Sequence, residues 1–417
     1  MEQKIINIDR NAARVSEWDK IYCEIVKDIL ENGVLVKNRT GIDTLTTGTV
    51  TFKLKDIEHN FPILESKKVA IKNAVSEIQW IHQVQSNDVR WLQERENPIW
   101  NKWMIDKDGI YREYEPEGTP FEEKEIEVCD VNGNPKLDKY GKIVMTEATD
   151  KAKEKGMTIK SAKYFGKKWA YTIGKAYGYN NKQTKDPQDV LEKIKNKPDD
   201  RRMIIDLRVK KNLKYGTLEP CVWATEWRVI NGKLDVTVIQ RSGDIPVGVP
   251  FNVSQYAVLL KMFAKVNNLE AGDITYTIND AHIYVDQVEP IKKQINRYNY
   301  MCFYETFIRE HSDTEVIKYY DTLKKQEERL RKYTENNPND KKVLQEYKVT
   351  LEEFRILDFM LTKKKPEFEA AEIDDFFNYS TDVNSDPEYL KENPTGNKEL
   401  VLKNYSSLPF IKIPVAQ

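Results

Sequence analysis

The chain has 417 residues, with 66 basic and 67 acidic side chains and a net charge of −1. That length allows a large core or two domains, and the balanced charge gives no electrostatic case for general nucleic-acid or membrane binding. Cys23, Cys129, Cys221 and Cys302 form no Cys-x-x-Cys pair, the four histidines lack metal-ligand spacing, and no run reaches transmembrane length. Met1-Glu2-Gln3-Lys4 opens no apolar signal core, so the expectation is a soluble, metal-free protein of a reducing cytoplasm.

In chain order, Trp18, Ile21, Tyr22, Ile25, Val26 and Ile29 recur at helical spacing and stop at Gly33, which predicts an amphipathic helix over 17–33. The turn Asn38-Arg39-Thr40-Gly41 then enters an alternating strand through Leu54. An arginine in such a turn is as often solvated as it is an anion ligand. Residues 71–84 predict a second helix, with Glu77 among Val75, Ile78, Trp80 and Ile81, where a Glu commonly faces solvent. Trp100 and Trp103 in Asn97-Pro98-Ile99-Trp100-Asn101-Lys102-Trp103 ordinarily mean core.

Residues 104–172 are charged and punctuated by Val131-Asn132-Gly133-Asn134-Pro135 and Lys139-Tyr140-Gly141. They predict a small β-rich excursion, helical over 152–162, with no catalytic pattern. Gly174-Lys175-Ala176-Tyr177-Gly178 falls short of the full phosphate-loop pattern, and Tyr177 there reads as a packing residue. A helix over 188–196 leads to Asp199-Asp200-Arg201-Arg202-Met203, where paired arginines before an apolar strand are often a charged strand entry.

Residues 222–229 alternate, Asn231-Gly232 is a strong hairpin turn, and Lys233–Gln240 is the returning strand. A long buried helix follows to about Asn267, with Asn252 as its simplest N-cap. Gly272-Asp273-Ile274 begins a strand that ends at Asn279-Asp280-Ala281-His282-Ile283-Tyr284, where a lone His is usually structural. Over 300–365, Val316, Tyr319, Leu323 and Leu330, then Val343, Tyr347, Leu351 and Phe354, recur at helical spacing across a break at 336–340. This predicts a charged helical hairpin, read as a solvated decoration because the heptads are too few for a coiled coil.

The chemistry concentrates in Leu218-Glu219-Pro220-Cys221, Gln240-Arg241-Ser242-Gly243-Asp244 and Gly248-Val249-Pro250-Phe251-Asn252. A thiol attacks as the thiolate, and a nearby cation lowers its pKa. The hairpin brings Cys221 and Arg241 toward each other, since residues near paired strand ends are neighbours. Taken singly, a Cys beside Pro is more often inert, and Arg-Ser at a strand end is usually a surface turn.

In order and spacing these pieces resemble the active-site core of the thymidylate synthase and pyrimidine-nucleotide hydroxymethylase family, whose pattern is Pro-Cys, Gln-Arg-Ser-x-Asp and Gly-x-Pro-Phe-Asn. The resemblance extends to Arg-Thr-Gly at Arg39, to Phe61-Pro62-Ile63-Leu64 and Lys67 as the next strand and loop, to Glu77 before Trp80, to Trp100 and Trp103, to Tyr177 and to Asp-x-His-x-Tyr. It covers nearly all of the chain apart from the insertions 104–172 and 300–365 and the first few residues. It implies one α/β (α+β) catalytic domain over 1–417, a large, mostly antiparallel twisted sheet with flanking helices. It also implies a homodimer whose partner contributes Arg201 and Arg202 to the nucleotide phosphate.

The same resemblance implies roles. Cys221 adds to C6 of a pyrimidine nucleotide, and Glu77 and Tyr177 manage proton transfers at O4 and C5. Arg39, Arg241 and Ser242 hold the phosphate; Gln240 and Asn252 meet the nucleotide, and His282 and Tyr284 bond the sugar hydroxyl. The cosubstrate is 5,10-methylenetetrahydrofolate, bonded by Asp244 and packed by Ile99, Trp100, Trp103, Leu218, Gly248 and Phe251. Tyr405 meets the ribose, and the tail through Ala416 forms a lid. A carboxamide at Asn252 donates to O4 and accepts from N3–H, which favours dUMP over dCMP.

The product turns on whether water reaches the exocyclic methylene left on C5. Trp100 and the lid favour reduction to dTMP. Val222 stands where the family's thymidylate synthases carry His, Tyr179-Asn180-Asn181-Lys182 replaces a Gln-Trp-Arg stretch, and Glu226 replaces Gln. Those departures, taken to cluster near the nucleotide, tip the expectation to a dUMP hydroxymethylase, with thymidylate synthase close behind. An inactive nucleotide- or RNA-binding dimer is the reading from another class, disfavoured by the intact Cys221, Glu77, Arg241 and Asn252.

Overall fold

The computed structural model describes residues 8–38, 40–116, 119–382 and 387–415. Its centre is a seven-stranded sheet in the order Val34–Val36, Thr44–Leu54, Glu270–Tyr284, Lys233–Gln240, Val222–Ile230 and Ile204–Asp206, with Gly243–Asp244 paired beside Glu270–Tyr284. Neighbours run antiparallel, except that Glu270–Tyr284 runs parallel to Lys233–Gln240 and Gly243–Asp244. The Asn231-Gly232 turn has positive φ at both residues (50° and 77°), which matches the twist of a tight hairpin.

Side-chain alternation gives the sheet two different faces. One carries the registered rows Leu54, Ile274, Val236, Trp227 and Phe52, Tyr276, Val238, Thr225, Ile205, all buried. The helix Gly248–Lys265 packs there, apolar nearly all round and buried over most of its length, with Phe263 stacked 4.7 Å from Trp227. The amino-terminal helix Glu17–Asn32 joins the same layer through Trp18, which stacks on Phe52 at 5.2 Å. The opposite face carries the row Lys53, Thr275, Thr237, Glu226 and Ile204, none of it buried.

Several expectations need correction. Residues 61–64 form no strand; they run as a buried loop under the helix Gly248–Lys265. That helix starts at Gly248, so Asn252 lies inside it and is not its N-cap. Of the stretch 152–162 expected to be helical, the part that is helical belongs to Asp150–Glu154, because Ile159–Tyr164 is drawn into a four-stranded sheet beside Ile110–Tyr114 and Ile126–Asp130. Residues 300–310 belong to the helix Val288–Glu310; the next two helices are Asp313–Asn336 and Lys341–Thr362. Their bases are not solvated: Val316, Tyr320, Leu323, Ile356, Leu357 and Phe359 join the main core. The segment after them, with strands Glu367–Ala370 and Leu400–Lys403 paired antiparallel, had no counterpart in the sequence reading.

Candidate active site

The hairpin register pairs Val222 with Gln240, which sets Cys221 beside Arg241. The Arg241 backbone N–H donates to the Cys221 carbonyl at 2.8 Å. Its guanidinium is clamped by the carbonyls of Pro220 (3.0 Å) and Glu219 (2.8 Å), and Nη2 stands 3.7 Å from Cys221 Sγ. A thiol this close to a fixed cation has the geometry that a nucleophilic cysteine requires.

Tyr177 reaches the same place from another element, its hydroxyl accepting from Cys221 N–H at 2.9 Å. The residue sits at φ 47°, a costly conformation for a side-chain-bearing residue. Gly178 after it is forced by packing, since a Cβ there would lie 2.1 Å from the Ser86 carbonyl oxygen. Burial holds the Tyr177 phenol well above its usual range.

Glu77 is on the helix Ile71–Ile78, which continues as a single π turn over Gln79–Gln83. The turn is tied down from the segment that the sequence reading missed: Gln79 Nε2 donates to the Ser380 carbonyl at 2.9 Å and Gln83 Nε2 to that of Tyr379. The Glu77 carboxyl is buried, with Oε1 accepting from Trp100 Nε1–H at 2.9 Å. Burial pushes its pKa up to about 7, while Trp100 and the neighbouring Gln255 carboxamide pull the other way. Trp100 packs edge-on to Tyr177 (5.1 Å) and against Trp103 (5.4 Å).

Asp244 is a buried carboxyl whose Oδ2 accepts from Gln287 Nε2 (3.0 Å) and whose Oδ1 accepts from Val247 N–H (3.1 Å). Burial raises its pKa against those bonds and against His282 and Lys67. Lys67 is itself buried, donates to the Pro246 carbonyl, and is lowered to about 8 by desolvation. His282 lies opposite Asp244 in register, with Nδ1 at 3.3 Å from Asp280 Oδ2 and the Tyr284 ring edge-on at 5.0 Å. Burial lowers the His282 pKa, but Asp280 and Asp244 outweigh it and the net direction is up. Ser242 is next to Asp280, at 3.5 Å between hydroxyl and Oδ2.

Gln240 and Asn252 are linked, Gln240 Nε2 lying 3.3 Å from Asn252 Oδ1. Gly248 and Phe251 lie on the first turns of the same helix, and a Cβ at Gly248 would touch Asn252 Oδ1 at 3.8 Å. Leu218, Trp103 and Phe251 are part-buried against the core, and Ile99 is exposed. A flat apolar ring system fits such a wall, and the Asp244 carboxyl stands next to Gly248 beside it.

Other expected residues fall elsewhere. Arg201 and Arg202 are exposed at the entry to the strand Ile204–Asp206, outside the Cys221 cluster, and Arg202 bonds Asp200 at 3.0 Å. The Tyr405 hydroxyl is committed to the 64–69 loop, donating to the Leu64 carbonyl (2.9 Å) and accepting from Val69 N–H (3.1 Å). Arg39 and Ala416 lie outside the described residues. Of the substitutions taken to lie near the nucleotide, Glu226 stands on the open sheet face, opposite to that of Gln240, and Asn181 donates its Nδ2–H to the Ile81 carbonyl (3.0 Å) beside the buried His82.

The sequence reading missed Gln255, Gln287 and Lys67 as site residues. Gln287 holds Asp244 and also the Pro414 carbonyl (2.8 Å), so it ties the tail to the site. Gln255 had one available signal: it is three residues after Asn252, hence on the same helix face.

A family model described as "Thymidylate synthase" matches residues 20–345. A thymidylate synthase of Clostridium beijerinckii is 35% identical over 285 residues, 68% of this chain and 84% of that relative. One of Listeria monocytogenes serotype 4b is 31% identical over 286 residues, 67% of this chain and 86% of the relative. Among solved structures, the thermostable thymidylate synthase A from Bacillus subtilis aligns with a TM-score of 0.56 at 23% identity, covering 96% of this chain and 99% of that one, which speaks to the fold.

Proposed function

The chain belongs to the thymidylate synthase family, and from that premise we propose that it transfers a one-carbon unit from 5,10-methylenetetrahydrofolate to C5 of dUMP and releases dTMP. The observation that carries this reading is the Cys221 thiol at 3.7 Å from the clamped Arg241 guanidinium, in one cluster with Tyr177 and the buried Glu77.

Cys221 Sγ bonds C6 of the uracil, and the C5–C6 electron pair moves toward O4 as an enolate. Arg241 favours the thiolate before attack and binds phosphate through its remaining N–H groups. Glu77, poised near neutrality, can take or give the proton that O4 and C5 exchange, and the Tyr177 hydroxyl serves the same ring. The folate supplies the methylene and, in the reductive route, the hydride. Trp100 keeps water from the reacting carbon, held in place by Glu77 and by the rings of Trp80, Trp103 and Tyr177.

The dimer belongs to the same proposal. The row Lys53, Thr275, Thr237, Glu226 and Ile204 is left unburied in the single chain, with the apolar Ile204 42% exposed, which suits a second sheet packed over it. In the proposed dimer this face packs on its own copy, and the exposed Arg201 and Arg202 serve the neighbouring subunit's phosphate.

Hydroxymethylation of dUMP is the second reading, favoured by Val222, an apolar side chain directly after the nucleophile. The departures at Glu226 and Asn181 no longer support it, because neither faces the thiol cluster. Incubation with dUMP and methylenetetrahydrofolate separates the two. Dihydrofolate absorbance rises with dTMP formation; a flat trace with a nucleotide heavier by CH2O gives the product to the second reading. Absence of tritium release from 5-[3H]-dUMP in folded protein overturns both.

A further inference from the structure

The side chains that meet the base and the side chain that moves its protons are joined by a row of carboxamides. The Tyr276 hydroxyl donates to Gln240 Oε1 at 2.6 Å. Gln240 Nε2 donates to the Ser242 carbonyl at 2.8 Å and to Asn252 Oδ1 at 3.3 Å. Asn252 Nδ2 donates to Gln255 Oε1 at 3.0 Å. At the far end, Gln255 Nε2 and Glu77 Oε2 are both buried, and neither has a hydrogen-bond partner among the described residues. The other Glu77 oxygen is taken by Trp100.

The polarity of this row is not arbitrary. A backbone carbonyl can only accept, so the Ser242 carbonyl fixes Gln240 with its nitrogen inward. That choice fixes Asn252 with Oδ1 toward Gln240 and Nδ2 toward Gln255, which in turn leaves Gln255 with its N–H groups on the remaining side. The two orphaned atoms are complementary, a donor and an acceptor, and the Gln255 carboxamide already acts on the Glu77 carboxyl. Two such buried groups left apart would each cost about 1–3 kcal/mol.

We propose that Gln255 is a positioning residue that couples the base-reading carboxamide of Asn252 to the protonation state of Glu77, through Gln255 Nε2–H and Glu77 Oε2 in direct contact or across one water. The inference rests on the proposed reaction at this site. With Asn at 252 the row ends in a donor at Glu77 and favours the carboxylate, which offsets burial. A side chain at 252 without N–H groups reverses the row. Gln255 then donates to it and turns Oε1 toward Glu77, where only a protonated carboxyl can bond. The other titratable groups facing Glu77 are the phenols of Tyr177 and Tyr256, both raised by burial, with the Cys221 thiol behind Tyr177.

The test reads the protonated carboxyl of Glu77 directly, by infrared titration of the free protein, with Glu77→Gln identifying the band. Gln255→Met is expected to raise the Glu77 pKa by about one unit, and to slow tritium release from 5-[3H]-dUMP about tenfold with KM within about twofold. Asn252→Asp is expected to raise it further in wild-type background than in the Gln255→Met background. Equal shifts in both backgrounds leave only the direct charge repulsion and overturn the coupling. An unmoved titration in Gln255→Met, with only a lower melting temperature, means a structural residue and also overturns it. Should Gln255→Met not fold, Gln255→Leu replaces it. The titration needs no turnover, so a failed coupling with normal tritium release is distinct from failure of the proposed reaction.

Discussion

Glu77 is caught between burial, which favours its neutral form, and the Trp100 N–H, which favours the carboxylate; burial wins, at about 7 against 4.5 for the free group. Between those two values the folded chain holds a proton that the unfolded chain has released, so stability falls as pH rises from about 4.5 to about 7 and is level above. The cost at pH 8 is on the order of 3 kcal/mol. Glu77→Gln is therefore expected to stabilise the protein in urea titrations at pH 8 by a few kcal/mol and to leave it nearly unchanged at pH 4, while tritium release falls at least about 100-fold. A variant equally stabilised at both pH values removes the titration argument. How much of the site could be read in advance follows from residue type. Cys221 and Arg241 are legible only together: each alone reads as ordinary, but the hairpin joins them and the motifs around them keep one order and spacing. Gln287 and Lys67 are not: their partners Asp244 and Pro246 lie far off in sequence, and a polar side chain carries no mark of its bond, while Gln255 is marked only by its spacing from Asn252.

At the scale of elements, the helix Lys341–Thr362 is pinned at its end by Lys363, which donates to the Glu65 carboxylate and to the Arg14 carbonyl (2.7 Å). Both charged side chains are buried, and desolvation pushes the Glu65 pKa up to about 7 against Lys363. Removing one partner strands the other, so Lys363→Met is expected to cost about 3–5 kcal/mol. Adding Glu65→Gln should recover part of that loss in denaturant titrations, whereas a purely steric role for Lys363 gives no recovery. The tail is attached differently, by the buried Leu408, Ile411 and Ile413 and by separate bonds: Leu408 N–H to the Glu65 carbonyl (2.8 Å), Arg297 to the Pro409 carbonyl, and Gln287 to the Pro414 carbonyl. Gln287→Leu unties the end of the tail and half of Asp244 together. The expected result is a folate KM raised about tenfold with the dUMP KM nearly unchanged, and faster carboxypeptidase trimming of the tail. The long periodic helices and the hairpin were legible because their patterns are set by a face that must be buried. The strand Ile159–Tyr164 and the pair Glu367–Ala370 with Leu400–Lys403 were not, since four to six residues carry too little periodicity to outvote tertiary pairing.

For the whole molecule the open question of the fold is what covers the second sheet face. Thr51 and Thr277 sit side by side there, hydroxyl to hydroxyl at 3.1 Å, in the row next to that of Thr275 and Thr237. Threonine favours strands, and its short side chains on neighbouring strands leave a flat surface that a second copy can cover. If a second copy covers it, sedimentation gives a dimer, and Thr237→Arg, which sets a cation against its own copy, shifts the protein toward monomer with loss of tritium release. The sharper consequence concerns sharing of sites. Cys221→Ser lacks the proposed nucleophile, and Arg201→Ala with Arg202→Ala lacks the arginines proposed to serve the neighbour. Each is expected to be inactive alone. Unfolded together and refolded, half of the dimers carry one subunit of each kind, and in those the intact Cys221 meets the intact arginines of the other chain at one of two sites. Activity should return to about a quarter of the wild-type level. If the arginines serve their own subunit, no mixed dimer has a complete site and mixing restores nothing.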